Sequence, residues 1–422
     1  MAIMVNIYWD DYKTNNMMSV TKYFKWEYLL LSLIIYVSDD TVLFGTNNNE
    51  IYIYAKYAIL LCVFALLFFK NNAFIHTKQF RCCIFMSMII MFSSILNNDL
   101  RLGLVYKCML LLLSCIYASK TKIQRFASLF VDFIYVIALI SVVCTLVMMV
   151  NPSFFSFAPS IVNTANTPFV NLFLYVAPST TLNVRNYGIF REPGVYQMYL
   201  IMSLVLMIYY VSVFKIKRFI IITIALALTF STTGYIAYVC IIALLIVNRN
   251  NMTITKKQRN TVFVFLIMCL ILLFTQTNLL SSDGIIFDKF SNTDRHTTIA
   301  RMSSLTTNVK IWLQNPMFGA GLQNVNDSFE VITLRDYGFA SPHNTNTFLC
   351  ELATFGVFYF LLFIVGMFKY SRLFGISFIE HLLVFIILFT LSIGEKLTFS
   401  PFFYIMMFYG YRYNNEHECR TL

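Results

Sequence analysis

Charge is scarce in this chain. Asp, Glu, Lys and Arg make up 12% of its 422 residues, whereas a soluble domain carries about a quarter. So few ionic groups cannot cover a water-facing surface of this size, which excludes an ordinary soluble globule. The short alternating segments of a barrel wall are also missing. So are a Gly-rich phosphate loop or kinase signature, any internal repeat and any low-complexity tract. The ten cysteines form no CxxC pair and no Cys/His cluster, and none falls inside a long loop between apolar runs. Neither a disulfide framework nor a metal site is expected from them. The first two dozen residues carry Asp10, Asp11, Lys13 and Lys22 and lack a compact apolar core. No cleavable signal and no lipidation motif is therefore expected, and the first helix would itself direct insertion.

What is abundant is apolar, at 59% of residues. In lipid every backbone N–H and C=O must be satisfied internally, so long continuous apolar runs become helices. They fall at 26–44, 51–69, 82–97, 100–118, 127–150, 193–214, 219–230, 233–247, 261–279, 346–368, 375–393 and 398–411. Most can cross a hydrocarbon core of about 30 Å. The run 219–247 is interrupted by Ser231-Thr232-Thr233-Gly234 and flanked on both sides by basic residues. It is read as two short helices meeting at that break. The expected fold is all-α: one polytopic integral membrane domain over residues 1–422, with about twelve transmembrane helices.

The net charge of +11 raises the question of nucleic acid. The basic residues instead sit in short clusters between apolar runs, as a topology signal places them. With both termini cytoplasmic, twenty of the 31 lysines and arginines face inward, and inversion would break the positive-inside rule at nearly every turn. No nucleic-acid partner is expected; the bilayer is. Two long outward loops remain, at 151–191 and 280–345. In the second, Ile299, Met302, Leu305, Val309, Trp312 and Leu313 repeat at helical spacing. Thr293 or Asp294 could cap the start, and Pro316 follows the end. This predicts an amphipathic helix within the loop.

The informative residues are polar ones at the outward boundary. Arg191-Glu192-Pro193-Gly194 stands where the first loop re-enters the membrane. Proline suits a first helical turn and Glu192 suits its N-terminus, but a cation there is electrostatically misplaced unless it serves an anionic ligand. Arg301 on the loop helix is either a surface arginine or part of the same site; Arg295, Lys310 and Arg335 are read as surface residues. His343, in Ser341-Pro342-His343-Asn344, is either a turn residue or a general base. Lys56, Lys107, Asp132 and Glu380 lie within apolar runs, and only Lys107 is too deep to reach an interface. Two arginines, a carboxylate and a histidine at one boundary suit the phosphates of an activated lipid-linked donor.

At these residues the sequence resembles the O-antigen polymerase and ligase superfamily, particularly Wzy-type polymerases of O-antigen or capsule repeat units. The pieces are Phe190-Arg191-Glu192-Pro193-Gly194, Ser231-Thr232-Thr233-Gly234, Arg301 with Asn315-Pro316 and Gly319-Ala320-Gly321, and Ser341-Pro342-His343-Asn344 leading towards Gly356. Relatives often carry Ser-Arg where this chain has Ser231-Thr232. The resemblance implies a GT-C-like membrane glycosyltransferase of the bacterial inner membrane, with both large loops periplasmic. It implies undecaprenyl-pyrophosphate-linked oligosaccharide as donor and acceptor, no metal or other cofactor, and a chain-length regulator as a further partner. It also implies roles. Arg191 and Arg301 stabilise the leaving pyrophosphate, His343 or Glu192 takes the hydroxyl proton, and Arg185 and Asn344 help to bind pyrophosphate or sugar. Competing expectations are an O-antigen ligase, a cell-wall elongation glycosyltransferase and, from another class, a repeat-unit flippase. The flippase is disfavoured because the sequence shows neither repeated halves nor evident midplane charges.

Overall fold

The computed structural model describes residues 26–69, 77–164, 166–179, 184–211, 215–247, 295–338, 344–375 and 377–416, with 260 and 264 singly. The elements in chain order begin with α1 (Trp26–Tyr36), α2 (Val42–Gly45), α3 (Glu50–Phe69), α4 (Lys78–Leu96), α5 (Leu102–Lys120) and α6 (Ile123–Val150). Three short strands follow, β1 (Ser160–Val162), β2 (Pro168–Asn171) and β3 (Val176–Pro178). Then come α7 (Pro193–Tyr210), α8 (Ile216–Ala227), α9 (Thr232–Val247), α10 (Arg295–Gln314), α11 (Leu322–Tyr337), α12 (Thr347–Ser371), α13 (Phe378–Gly394) and α14 (Pro401–Glu416).

Among the described residues, α3, α4, α5, α6, α7 and α12 are long and apolar enough to cross a membrane, and α1, α9 and α13 are shorter apolar helices. The chain is a membrane protein. Its exposed surface is rich in large apolar side chains such as Ile51, Leu61, Leu66 and Phe69 on α3 and Met88, Met91 and Ile95 on α4. In water such a belt would be untenable. Against lipid it costs nothing. The most enclosed span is α7, 94% buried, while α3 is only 22% buried. Thus α7 is the central post, and the motif that opens it lies at the middle of one end of the bundle.

One expectation needs correction, and two features add to the others. The first apolar run is not one span: α1 stops at Tyr36, and the polar stretch Ser38-Asp39-Asp40-Thr41 separates it from the one-turn α2. The fold is mostly helical, as expected, with one small sheet added. β1, β2 and β3 form a three-stranded antiparallel sheet, order β1-β2-β3, in the first long loop. Val170, Tyr175 and Ala177 of that segment pack on Met148 and Phe155 at the end of α6. The second long loop holds two helices, since α11 follows the expected α10. Its signal was present in Val325, Phe329 and Ile332 at helical spacing, and in Gly338, which closes it in the left-handed conformation. Apart from residue 264, the 261–279 run lies outside the described residues.

The Asn315-to-Gly321 motif is explained by backbone packing. Gly356 interrupts α12 with φ of 77°. Into that kink the loop before α11 inserts its own backbone. Val357 N–H donates to the Pro316 carbonyl at 3.0 Å, Ala320 N–H to Ala353 at 2.9 Å and Gly321 N–H to Thr354 at 3.1 Å. A side chain at Gly356 would overlap the backbone of Met317, and one at Gly319 (φ 71°) that of Thr354. Both glycines are needed for conformation and for space. Gly356→Ala is therefore expected to cost about 2–4 kcal/mol, read as a lower melting temperature of the detergent-purified protein. An unshifted melt would refute the backbone docking.

Candidate functional site

The site is built around the start of α7. Two extended segments meet there: Thr41 and Phe190 form an antiparallel bridge, and Arg191 N–H donates to the Asp40 carbonyl at 2.9 Å. This pairing fixes the Arg191 backbone. The Arg191 guanidinium donates through Nη2 to the Lys396 carbonyl, while its Nε is buried and lacks an acceptor among the described residues. The Asp40 carboxylate is only 1% exposed. It accepts hydrogen bonds from Tyr199 at 2.6 Å and Ser400 at 2.5 Å, and the Arg191 charge acts on it. A buried carboxylate needs such partners.

Gly194 and Glu192 complete the motif. A methyl group at Gly194 would overlap the carboxylate of Glu395, so this glycine is there to admit another chain segment. Glu192 occupies the N-cap position of α7 but makes no side-chain capping bond among the described residues, and it is exposed.

Arg185 does a different job from the one its place near the motif suggests. Its Nε donates to the Thr229 carbonyl at 2.9 Å and its Nη2 to the Phe230 carbonyl at 3.1 Å. These are orphan carbonyls at the end of α8, where Phe230 has a positive φ of 48°. Arg185 thus closes the α8–α9 break. Burial pushes its guanidinium down, against the opposing influence of Tyr187, Glu395, Tyr235 and Glu192. The Ser-Thr-Thr-Gly break also touches the site, because Gln197 of α7 donates to Thr233 at 2.5 Å and Gly394 packs on Thr233.

Asn344 is buried and pairs reciprocally with Asn308 of α10, at 3.0 and 2.9 Å. Thr345 N–H donates to the Ser304 hydroxyl at 3.2 Å. The start of α12 is thereby fixed to α10, three and seven residues after Arg301 on the same helical row. The Arg301 backbone is in α10, and its side chain lies outside the description; His343 lies outside the described residues altogether. Lys310 and Arg335 both pair with Asp336, at 2.7 and 2.9 Å, and hold it down to about 2. They are surface residues, as their spacing suggested.

The segment that joins these pieces was overlooked in the sequence. Glu395 and Lys396 open the connection between α13 and α14, which runs over residues 395–400. The Glu395 carbonyl accepts from Thr347 Oγ1 at 2.5 Å, and Leu397 N–H donates back to the same hydroxyl at 2.9 Å. Lys396 Nζ donates to Asn326 of α11 at 3.2 Å, and its carbonyl holds Arg191. The starts of α7, α9 and α12, together with α11, therefore all touch this turn. A six-residue connection is too short to show a period.

A second buried polar group lies deeper. Lys107 of α5 and Glu351 of α12 are 1% and 0% exposed and meet at 2.6 and 2.7 Å. Thr398 and Tyr404 complete their hydrogen bonds, and Phe355, Tyr359, Phe399 and Tyr404 surround the ammonium. Lys56 likewise stays inside, paired with Asp39 at 2.6 Å, rather than reaching an interface. The burial of Lys107 agrees with the depth read from the sequence, whereas that of Lys56 does not. These charges are paired with one another.

Residues 218–364 match a family model described as O-antigen ligase. None of the curated proteins matches the chain.

Proposed function

We infer from the match over residues 218–364 that this chain is a member of the O-antigen polymerase and ligase superfamily. On that premise we propose that it polymerises undecaprenyl-pyrophosphate-linked oligosaccharide repeat units into O-antigen or capsular polysaccharide. The proposed setting is the periplasmic face of the bacterial inner membrane, with about twelve spans and both termini cytoplasmic. One observation carries the reading. The start of α7 with Arg191 and the start of α12 are both tied to the turn at Glu395 and Lys396, and the helix that bears Arg301 is tied to Thr345, just before α12.

In this scheme the diphosphate of the donor lies against that end. The acceptor hydroxyl attacks the anomeric carbon, its proton passes to His343 or Glu192, and the bond from carbon to diphosphate oxygen breaks. Arg191 and Arg301 neutralise the charge that develops on the leaving group. The buried donor at Arg191 Nε, which lacks an acceptor, supports such a role. A guanidinium serves better than an ammonium here because its planar fork matches two phosphate oxygens. A separate chain-length regulator would set where polymerisation stops.

Deleting the gene tests the reading. The expected surface polysaccharide loses its ladder and retains a single capped repeat unit. The second reading, ligation of finished chains to a lipid A core, is favoured by the description of the matching family. It requires free polymer to accumulate instead. An unchanged ladder would exclude both.

A further inference from the structure

The deletion phenotype says nothing about which carboxylate takes part in the reaction. Glu192 is the acidic residue of the motif, but it is exposed. Glu395 is better placed. It is half-buried, and its carboxylate occupies the space that the missing side chain of Gly194 leaves at the start of α7. Two consecutive carbonyls hold its backbone: that of Glu395 is bound by Thr347, and that of Lys396 by the Arg191 guanidinium. Arg185 feels its charge. The carboxylate thus lies one residue from the point where Arg191 is held. A diphosphate gripped by Arg191 would present its attached anomeric carbon close by.

We propose that Glu395, in place of Glu192 or His343, is the catalytic carboxylate of this site, receiving the proton of the attacking acceptor hydroxyl. This rests on the polymerase or ligase reading above. The O–H bond of the acceptor breaks and its proton goes to a Glu395 oxygen. The freed electron pair forms the new bond to the anomeric carbon. The old bond from that carbon to diphosphate oxygen breaks, and its electron pair leaves with the diphosphate. Atoms and charge balance without another reactant. Gly194 acquires a reason: any side chain there would expel the carboxylate. The apposition of Gly194 and Glu395 joins the α7 motif to a turn some 200 residues away in sequence.

The test separates chemistry from scaffolding. Glu395→Gln is made in the full-length protein, and three quantities are read. They are the polysaccharide ladder in the complemented deletion strain, the melting temperature of the purified protein, and binding of undecaprenyl pyrophosphate in detergent. The expected result is a ladder reduced by roughly 100-fold with melting temperature and undecaprenyl pyrophosphate affinity unchanged. Glu395→Asp should restore part of the ladder. Gly194→Ala should resemble Glu395→Gln, and the double variant should be no worse than either. A full ladder in Glu395→Gln overturns the proposal and leaves the polymerase reading intact. Simultaneous loss of melting temperature and of diphosphate binding also overturns it, by making Glu395 structural. Failure of the unsubstituted protein to bind undecaprenyl pyrophosphate would sink the reading beneath it.

Discussion

Arg191→Ala is expected to lower polymer formation by about 10²–10³-fold, the usual loss when one preorganised donor to a developing oxyanion is removed. The backbone contact that holds this residue does not depend on its side chain, because it is the Arg191 N–H that bonds the Asp40 carbonyl. The start of α7 should therefore stay in place. What disappears is the guanidinium on the Lys396 carbonyl and the buried Nε donor. Asp40 also loses its nearby cation, so some stability should go too, and the ladder must be compared at equal amounts of folded protein. Arg191→Lys is the sharper variant. It keeps the charge but not the fork, so it should recover little activity. A normal ladder in Arg191→Ala, at normal protein level, would remove Arg191 from the mechanism.

The second large effect concerns the pair inside the bundle. Lys107→Met is expected to cost about 3–5 kcal/mol, because it leaves Glu351 charged and unpaired where almost no solvent reaches. Lys107→Met combined with Glu351→Gln should regain most of that loss. The glutamine amide can still accept from Tyr404 and donate towards the Thr398 carbonyl, the two groups that now complete the pair. Thermal unfolding in detergent measures both. A single variant as stable as the parent would contradict the buried geometry. The double variant should also give a normal ladder, since the ammonium is enclosed by four aromatic rings and a carboxylate. A stable double variant with no polymer would transfer the pair from architecture to mechanism. The same enclosure argues against a transporter, whose intramembrane charges must exchange partners with a passing substrate.

Most helices were readable because their cause is local. Expected runs such as 51–69, 127–150 and 346–368 match the observed α3, α6 and α12 to within four residues at each end. The amphipathic spacing of Ile299 to Leu313 predicted α10. The break at Ser231 to Gly234 was also visible, as the paired helices α8 and α9 show. The strands of the first loop were not visible, since three or four residues are too few to display a period. The partners of charged residues were invisible for another reason. Lys107 and Glu351 are 244 residues apart, and no pattern within either helix announces the other.

The same division runs through the candidate site. The chain's composition alone required lipid around it, because the backbone must close its own hydrogen bonds wherever water is absent. The local grammar of Arg191-Glu192-Pro193-Gly194 marked a helix start carrying a misplaced cation. Only the folded chain decided what each residue does there. Arg185 became a clasp on the carbonyls of Thr229 and Phe230. Asn344 became a tie to Asn308. Glu395, unremarkable in its own segment, arrived beside Gly194. Burial and helix formation act on neighbours along the chain and leave a record in sequence; ion pairs and close backbone contacts act between segments that meet only after folding.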